Sequence, residues 1–503
     1  MPTHLRVVLA SALAMALLVA GLGPVSAVFR EPIEWTACAD GGETECAWLE
    51  VPLDVTDPLS DTLRLPIRRV RASDPEQRIG VLVTIAGGPG QRGTDWVFPG
   101  LHTSTIHERF DIVSWDPRGT SAGSVVDCIP EWDPFEGLDR TPDDDDERRA
   151  IDRRTAELAE RCREEHGDVL AYIGTHEAAL DLERLRQALR VEQVSILGTS
   201  YGSEIALTYA TLFPEHVRAI VLDGYSDPNL APDERVLEQA RAFERSLDAL
   251  LDRCAADPAC RLGGDDSPGV ALDALLTDLD EAPLATDDPA RPLSQSDAHE
   301  AIAGSLLRGE TGRKRLLTAL FRATEGDGAP LLAIAEGIRG EYESGGLNLG
   351  TYTAVECADD GPYWERLPGA QVAEMTTSIR SAAPRLGQWL WDPPTTRDLP
   401  PVGLCAMLPF YVIRDPAPVD AAGAGPVLVL TTSGDPTTPA SAAARSIDDL
   451  QDAVLLTLDA DHHLAYHAAL GDPAAPAHRC VLEAVEDYLI HRRPPPAGLV
   501  CSH

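Results

Sequence analysis

Short, unbroken apolar runs recur along this chain, and each stops at a loop containing glycine or aspartate. Gly80–Ile85 runs into Ala86-Gly87-Gly88-Pro89-Gly90, and Phe110–Trp115 into Asp116-Pro117-Arg118-Gly119. Val194–Leu197 runs into Gly198-Thr199-Ser200-Tyr201-Gly202, and Ala219–Leu222 into Asp223-Gly224. Strands lacking polar alternation must be covered on both faces. The stretch before Val194 has helical spacing at Ala179, Leu182, Leu185 and Leu189. Buried strands alternating with amphipathic helices predict a mostly parallel sheet with helices on both sides. Short strands with turns are expected over Ile33–Val70, and a charge-dense solvated loop entering a helix over Asp143–Arg153. From Ala231 to Ala417 the rhythm gives way to helical periodicity, as in Leu247, Leu250, Leu251 and Leu316, Leu317, Leu320, broken by the Pro283–Pro292 loop. It returns at Pro426–Leu430 and Ala453–Leu458, with a last helix near Val481–Leu489. The expected organisation is an α/β unit over 28–230 and 418–503, interrupted by a mostly helical cap over 231–417.

The first residues predict export. Met1–Arg6 carries a basic side chain, Val7–Leu22 is almost wholly apolar, and Val25-Ser26-Ala27 offers the small residues a signal peptidase requires. A signal peptide over 1–27, cleaved near Ala27, is expected, with secretion and no stable membrane insertion. Ten cysteines suit an oxidising compartment. The short spacings of Cys38/Cys46 and Cys254/Cys260 favour local pairs. Chain-order pairing of the rest joins Cys128–Cys162, Cys357–Cys405 and Cys480–Cys501, a connectivity that spacing alone leaves open. There is no paired CxxC and no HExxH, so neither a metal nor an organic cofactor is expected. Acidic residues number 81 against 42 lysines and arginines, a formal net charge of −39. That field repels nucleic acid and anionic lipid and attracts cations.

Chemistry concentrates at the loops. Gly198-Thr199-Ser200-Tyr201-Gly202 is a G-x-S-x-G between a buried strand and a helix, where a sharp turn lifts a serine hydroxyl above the sheet. Such a nucleophile needs a base, an orienting carboxylate and oxyanion donors, the acid and base following the serine in the chain. Asp435, in Ser433-Gly434-Asp435-Pro436-Thr437-Thr438-Pro439, comes just after a strand. The base belongs after the next strand, where Asp461-His462-His463 lies 28 residues past Asp435. Neighbouring side chains point different ways; His463 is preferred, with His462 open, and His467 and His478 read as surface or helix residues. For the oxyanion hole, Tyr201 supplies the N–H after the nucleophile. Pro89 has none, leaving Gly88 as the second donor and Gly87 behind it.

These residues, with Trp35–Cys38, Cys46, Val51-Pro52-Leu53-Asp54, Asp116–Ser121, Leu222-Asp223-Gly224 and Ala354–Asp359, resemble a known group. It is the secreted actinobacterial tripeptidyl aminopeptidases, α/β-hydrolases related to the prolyl aminopeptidases. The resemblance spans nearly the whole chain after the signal. It implies an α/β-hydrolase fold (mostly parallel central sheet covered by helices) with a large helical cap insertion. It also implies Ser200 as nucleophile, Asp435 as acid and His463 as base. Two departures stand out: Gln91-Arg92-Gly93 follows the Gly-Gly-Pro-Gly loop, and His462-His463-Leu464 replaces a Gly-His-Gly. The 235 residues from Ser200 to Asp435 hold the cap. In the related aminopeptidases cap carboxylates bind the substrate's α-amino group, and Glu356 and Asp359 are placed to do so or to structure the Cys357 loop. The expected activity is removal of short peptides, tripeptides, from peptide substrates with a free N-terminus. A carboxylesterase with the same triad is the alternative. A non-catalytic binding protein on this scaffold would have lost a triad member, and none is missing.

Overall fold

A computed structural model describes residues 33–502 except 58, 122, 130–134, 136, 137, 139, 265, 345, 392–404, 406–417 and 448. The expected signal peptide, cleavage at Ala27 and the cap's end at Ala417 lie outside the described residues. Ten strands form one sheet: β1 (Thr36–Ala37), β2 (Thr44–Pro52), β3 (Thr62–Val70), β4 (Gly80–Ile85), β5 (Phe110–Trp115), β6 (Val194–Thr199), β7 (Val217–Asp223), β8 (Val427–Thr432), β9 (Ala453–Leu458) and β10 (Leu499–Cys501). Their order is β1-β2-β3-β5-β4-β6-β7-β8-β9-β10. The β1–β2, β2–β3 and β3–β5 pairs are antiparallel; every pair from β5 to β10 is parallel. The expected mostly parallel sheet is borne out, with an antiparallel edge contributed by the segment before Gly80.

Among the described residues the helices are α1 (Ser104–Arg109), α2 (Asp145–Leu170), α3 (Thr175–Leu189) and α4 (Gly202–Leu212), then eight between β7 and β8. Those eight are α5 (Pro232–Ala256), α6 (Pro268–Glu281), α7 (Gln295–Leu306), α8 (Gly309–Thr324), α9 (Ala329–Ser344), α10 (Leu349–Arg366), α11 (Gly369–Ala382) and α12 (Gly387–Leu390). After β8 come α13 (Ala440–Ser446), α14 (Ala465–Gly471) and α15 (Pro476–His491). The charge-dense Asp143–Arg153 segment is less loop and more helix than expected. Asp144 caps α2 reciprocally with Glu147, and the acidic first turn suits the helix's positive end.

Side-chain alternation explains the unbroken runs. Val83, Ile196, Leu222 and Val429 face Leu182 and Leu185 of α3 and Ile205 and Tyr209 of α4. Their neighbours Leu82, Leu197, Val221 and Leu428 face Val481, Val485 and Leu489 of α15. Each buried aliphatic side chain contributes about 1.5–3 kcal/mol to folding before entropy is counted. Helices α5–α9 gather a separate core of Leu247, Leu250, Leu272, Ile302, Leu306, Leu316, Leu320 and Ile338. The Asp116–Gly119 loop is a clamp: buried Arg118 grips Asp181 of α3 with two bonds of 2.8 and 2.7 Å and donates to the Leu53 and Tyr172 carbonyls.

The strand order also creates the crevice. The chain steps from β4 outward to β5, then returns across β4 to β6. Loops leaving β4 and β6 therefore diverge at the carboxyl ends of those strands, the place where open α/β sheets bind ligands. Register aligns the ends: Ile85 pairs with Gly198, Thr199 with Asp223, Asp223 with Leu430, and Thr432 with Leu458.

All ten cysteines are paired in the expected order, with Cα separations of 4.8–5.7 Å. Cys480–Cys501 ties α15 to β10 across 21 residues. Replacing both by serine is expected to cost about 3 kcal/mol through loop-closure entropy. Urea midpoints of the oxidised protein and the double variant check this; equal midpoints contradict it.

Candidate active site

Ser200 sits at the turn from β6 into α4 with φ 52°, a left-handed conformation costly for a residue bearing a Cβ. Backbone bonds hold it: its N–H donates to the Asp223 carbonyl at 2.8 Å, and its own carbonyl accepts from Ser203 N–H at 2.8 Å. The flanking glycines are required by contact. A Cβ on Gly202 would lie 2.4 Å from the Ile85 carbonyl oxygen, and one on Gly198 would lie 2.5 Å from that of Gly202. The elbow thus packs directly on the end of β4, where the Gly87–Gly90 loop begins. Gly88 and Tyr201, the expected N–H donors, line the same cavity as Ser200. That loop is tied to the cap: the Gly90 carbonyl accepts from Asn348 N–H at 3.0 Å, and Asn348 caps α10.

On the next strand ends the structure brings Asp435 and His463 together. Nδ1 of His463 donates to Oδ2 of Asp435 at 2.7 Å. Asp435 is 3% exposed and also accepts from the N–H groups of Thr437 and Thr438 at 2.8 and 3.0 Å, and from the Thr438 hydroxyl at 2.8 Å. These donors fix the carboxylate so that the imidazole meets one oxygen in one orientation. Burial works to lower the His463 pKa, but the charge and hydrogen bond of Asp435, with a smaller contribution from Asp223, raise it overall. His462 turns elsewhere: its Nδ1 donates to the His463 carbonyl at 3.3 Å, and burial lowers its pKa. His467 lies in α14, edge-on to Trp96 with ring centres 4.8 Å apart. His478 lies in α15 and donates to the Asp472 carbonyl at 2.9 Å.

The cavity beside Ser200 has a volume of about 530 Å³, enough for a drug-sized ligand. Its lining includes Glu204, Arg235, Glu356 and Asp360, with Trp364 and Trp391 among the apolar walls. Arg235 is ion-paired with Asp360. Burial alone would lower the Arg235 pKa, but Asp360, Glu204, Glu356 and Asp359 together hold it cationic. One guanidinium cannot neutralise so many carboxyls. Desolvation, then repulsion from Asp360, pushes Glu356 up to about 8. Desolvation likewise raises Glu204 and Asp360.

Of the two cap carboxylates singled out from sequence, Glu356 lines the cavity and Asp359 is engaged beside it. Asp359 accepts from Thr175 N–H at 3.1 Å and from the Thr175 hydroxyl at 2.6 Å; that hydroxyl also lies 2.7 Å from the Tyr201 phenol. Burial raises the Asp359 carboxyl to about 8 against those bonds. Sequence reasoning missed Glu204 and Asp360. The available signals were the four-residue step from Ser200 to Glu204, one helical turn, and the Asp359-Asp360 doublet following Glu356 by one turn.

A serine on a strained strand-to-helix turn, backed by an acid–histidine pair on later strand ends, is the layout of a hydrolase built on a parallel sheet. The chain belongs to the alpha/beta hydrolase fold family, which matches residues 80–468. It is 32% identical over 502 residues to "Serine protease Hip1" of Mycobacterium tuberculosis, covering 94% of this chain and 91% of that one. It is equally 32% identical to "Carboxylesterase B" of the same species, covering 96% of this chain and 92% of the other. "Tripeptidyl aminopeptidase" of Streptomyces coelicolor matches at 32% over 254 residues, 47% of this chain and 46% of that one. The expected fold and kinship are borne out.

The raised carboxyls have a consequence for stability. Glu356 and Asp359 start from ordinary values of 4.5 and 3.8 and sit at about 8 in the fold. Between those limits the folded chain binds more protons than the unfolded one, so stability falls as pH rises through the window. Glu356→Gln stays neutral throughout and is expected to lose less stability than the unaltered protein between pH 5 and pH 8.5. Thermal midpoints at both pH values check this; an equal or steeper loss in the variant contradicts it.

Proposed function

We propose that this protein is a secreted serine aminopeptidase that releases tripeptides from the N-termini of peptides. Ser200 Oγ attacks the scissile carbonyl while His463 takes its proton. The Asp435 carboxylate holds the imidazole tautomer that donates from Nδ1, and it stabilises the imidazolium that forms. The N–H groups of Gly88 and Tyr201 stabilise the oxyanion. The imidazolium then protonates the leaving amine, and a water activated by the same imidazole cleaves the acyl-enzyme.

The observation that carries the reading is the surplus of carboxyl groups around Arg235 in the cavity that Ser200 lines. An ammonium group is the complement of such a cluster. Glu204, Glu356 and Asp360 would receive the substrate's α-amino group, and residues 231–417 would act as a cap that excludes longer internal segments. Relatives named as a serine protease and a tripeptidyl aminopeptidase support peptide substrates. Five disulfides support an oxidising, extracellular setting. Among the described residues no helix is long and apolar enough to cross a membrane. The carboxylesterase B relative supports the second reading, an ester substrate at the same triad.

A free-amine tripeptide anilide, its N-acetylated twin and a short-chain ester separate the two. Cleavage of the free-amine anilide alone, reduced about 10⁴-fold or more in Ser200→Ala, is the expected result. Ester cleavage with neither anilide cut would replace the aminopeptidase by the esterase.

Glu204→Gln tests the amine site. Loss of a charge-assisted bond worth about 1.5–3 kcal/mol should raise KM for the free-amine anilide roughly ten- to a hundred-fold. Unchanged KM would remove Glu204 from that role.

A further inference from the structure

We propose that Asp223 is a positioning residue for His463, bracing the histidine loop from behind while Asp435 holds the ring from the side; this rests on the serine-hydrolase reading above. Asp223 is the last residue of β7 and is fully buried. Its main chain and its side chain do different jobs. The main-chain carbonyl accepts the Ser200 N–H at 2.8 Å, fixing the strained elbow. The carboxylate reaches the other way. Oδ1 accepts from the N–H groups of Ala465 and Tyr466 at 2.8 and 3.1 Å, and Oδ2 accepts from those of Tyr466 and His467 at 3.2 and 3.3 Å.

Those amides begin two residues after His463. The residue between, Leu464, has φ 70°, a left-handed conformation that a leucine does not keep unless its surroundings impose it. The Asp223 bonds anchor the chain on the far side of Leu464. Gly224 completes the support: a Cβ there would lie 2.7 Å from Leu464 Cδ2 and 3.0 Å from His463 Cε1. The Asp223-Gly224 pair therefore bonds to the elbow's backbone and the histidine loop's backbone, and leaves beside the imidazole no room for a side chain at Gly224.

A carboxylate in this place also acts on the imidazole by charge. Asp435 and Asp223 both favour the imidazolium, Asp435 more strongly, against a burial effect that opposes it. The other titratable groups around the pair are His462 in the same loop, and Tyr466 and His467 on α14, whose Nδ1 lies 3.7 Å from Oδ2 of Asp223.

Asp223→Asn separates this role from mere structural support. The variant keeps the shape but loses the charge and one acceptor. Its readout is the rate of Ser200 labelling by a fluorophosphonate as a function of pH, together with kcat and KM on the substrate that the unaltered protein cleaves. The expected result is a roughly ten- to a hundred-fold loss in kcat from misplacement of the base. The acid limb of kcat/KM and of labelling should move to lower pH, since a neutral neighbour no longer favours the imidazolium. An acid limb that stays in place, with or without loss of kcat, overturns the proposal. Should Asp223→Asn fail to fold, Asp223→Glu carries the test: it keeps the charge and shifts the carboxylate by one methylene. An unmoved acid limb with lowered kcat and unchanged KM is then expected, and full kcat overturns the proposal. If Ser200→Ala retains activity and labelling, the serine-hydrolase reading falls and takes this proposal with it. Loss in Ser200→Ala with an unmoved Asp223→Asn profile removes this proposal alone.

Discussion

The site depends on a place where main chain meets main chain with nothing between. Gly202 rests on the Ile85 carbonyl and Gly198 rests on Gly202, so the turn after β6 is pressed onto the end of β4. Any side chain at either position would drive the two loops apart. Because they cannot separate, the strained serine and the Gly87–Gly90 loop share one crevice. The reversal in strand order opens that crevice, and the sheet register brings the loops after β7, β8 and β9 to the same edge. Backbone geometry comes first here, and Ser200, Asp435 and His463 occupy positions it has already set.

The acidic cavity stands in tension with the rest of the fold. Carboxyls drawn together out of water lose hydration and repel one another, which pushes Glu356 and Asp359 up to about 8. A protein selected for stability alone would fill such a wall with apolar side chains. Keeping Glu204, Glu356 and Asp360 around a single arginine costs stability, and a bound cation would relieve it. The sheet and the α5–α9 helices each bury an apolar core of their own, which works against that cost.

Much of this was legible in the sequence because strands and elbows announce themselves locally. Unbroken runs such as Val194–Leu197 mean burial on both faces. Glycines spaced around Ser200 mean close backbone contact. Aspartate and histidine just past two later runs fall at strand ends because a parallel sheet puts all such ends on one side. The helical segment spoke less clearly. Helical periodicity says which side of α10 is apolar but not what lies opposite its polar side, so Glu356 and Asp359 read alike. Only the fold turns Asp359 toward Thr175 and leaves Glu356 on the cavity wall. Glu204 went unread, and Asp223 showed only as the end of a strand, because their partners Arg235, Ala465 and Tyr466 are remote in sequence. The choice between His462 and His463 was open for a related reason. Adjacent residues in a loop have no fixed facing until the loop's own bonds set one.

One small contact gives the cap a metric role. Helix α10 is pinned at its first residues to the Gly90 carbonyl, beside the proposed oxyanion donors, and carries Glu356 and Asp360 farther along. At about 1.5 Å per residue, Glu356 stands about 12 Å along the helix from Asn348. Three extended residues span about 10 Å. The helix is thus a rigid ruler with its zero mark at the Gly87–Gly90 loop. On the proposed function, lengthening it by a turn would change the length of chain it measures while leaving Ser200, His463 and Asp435 unaltered.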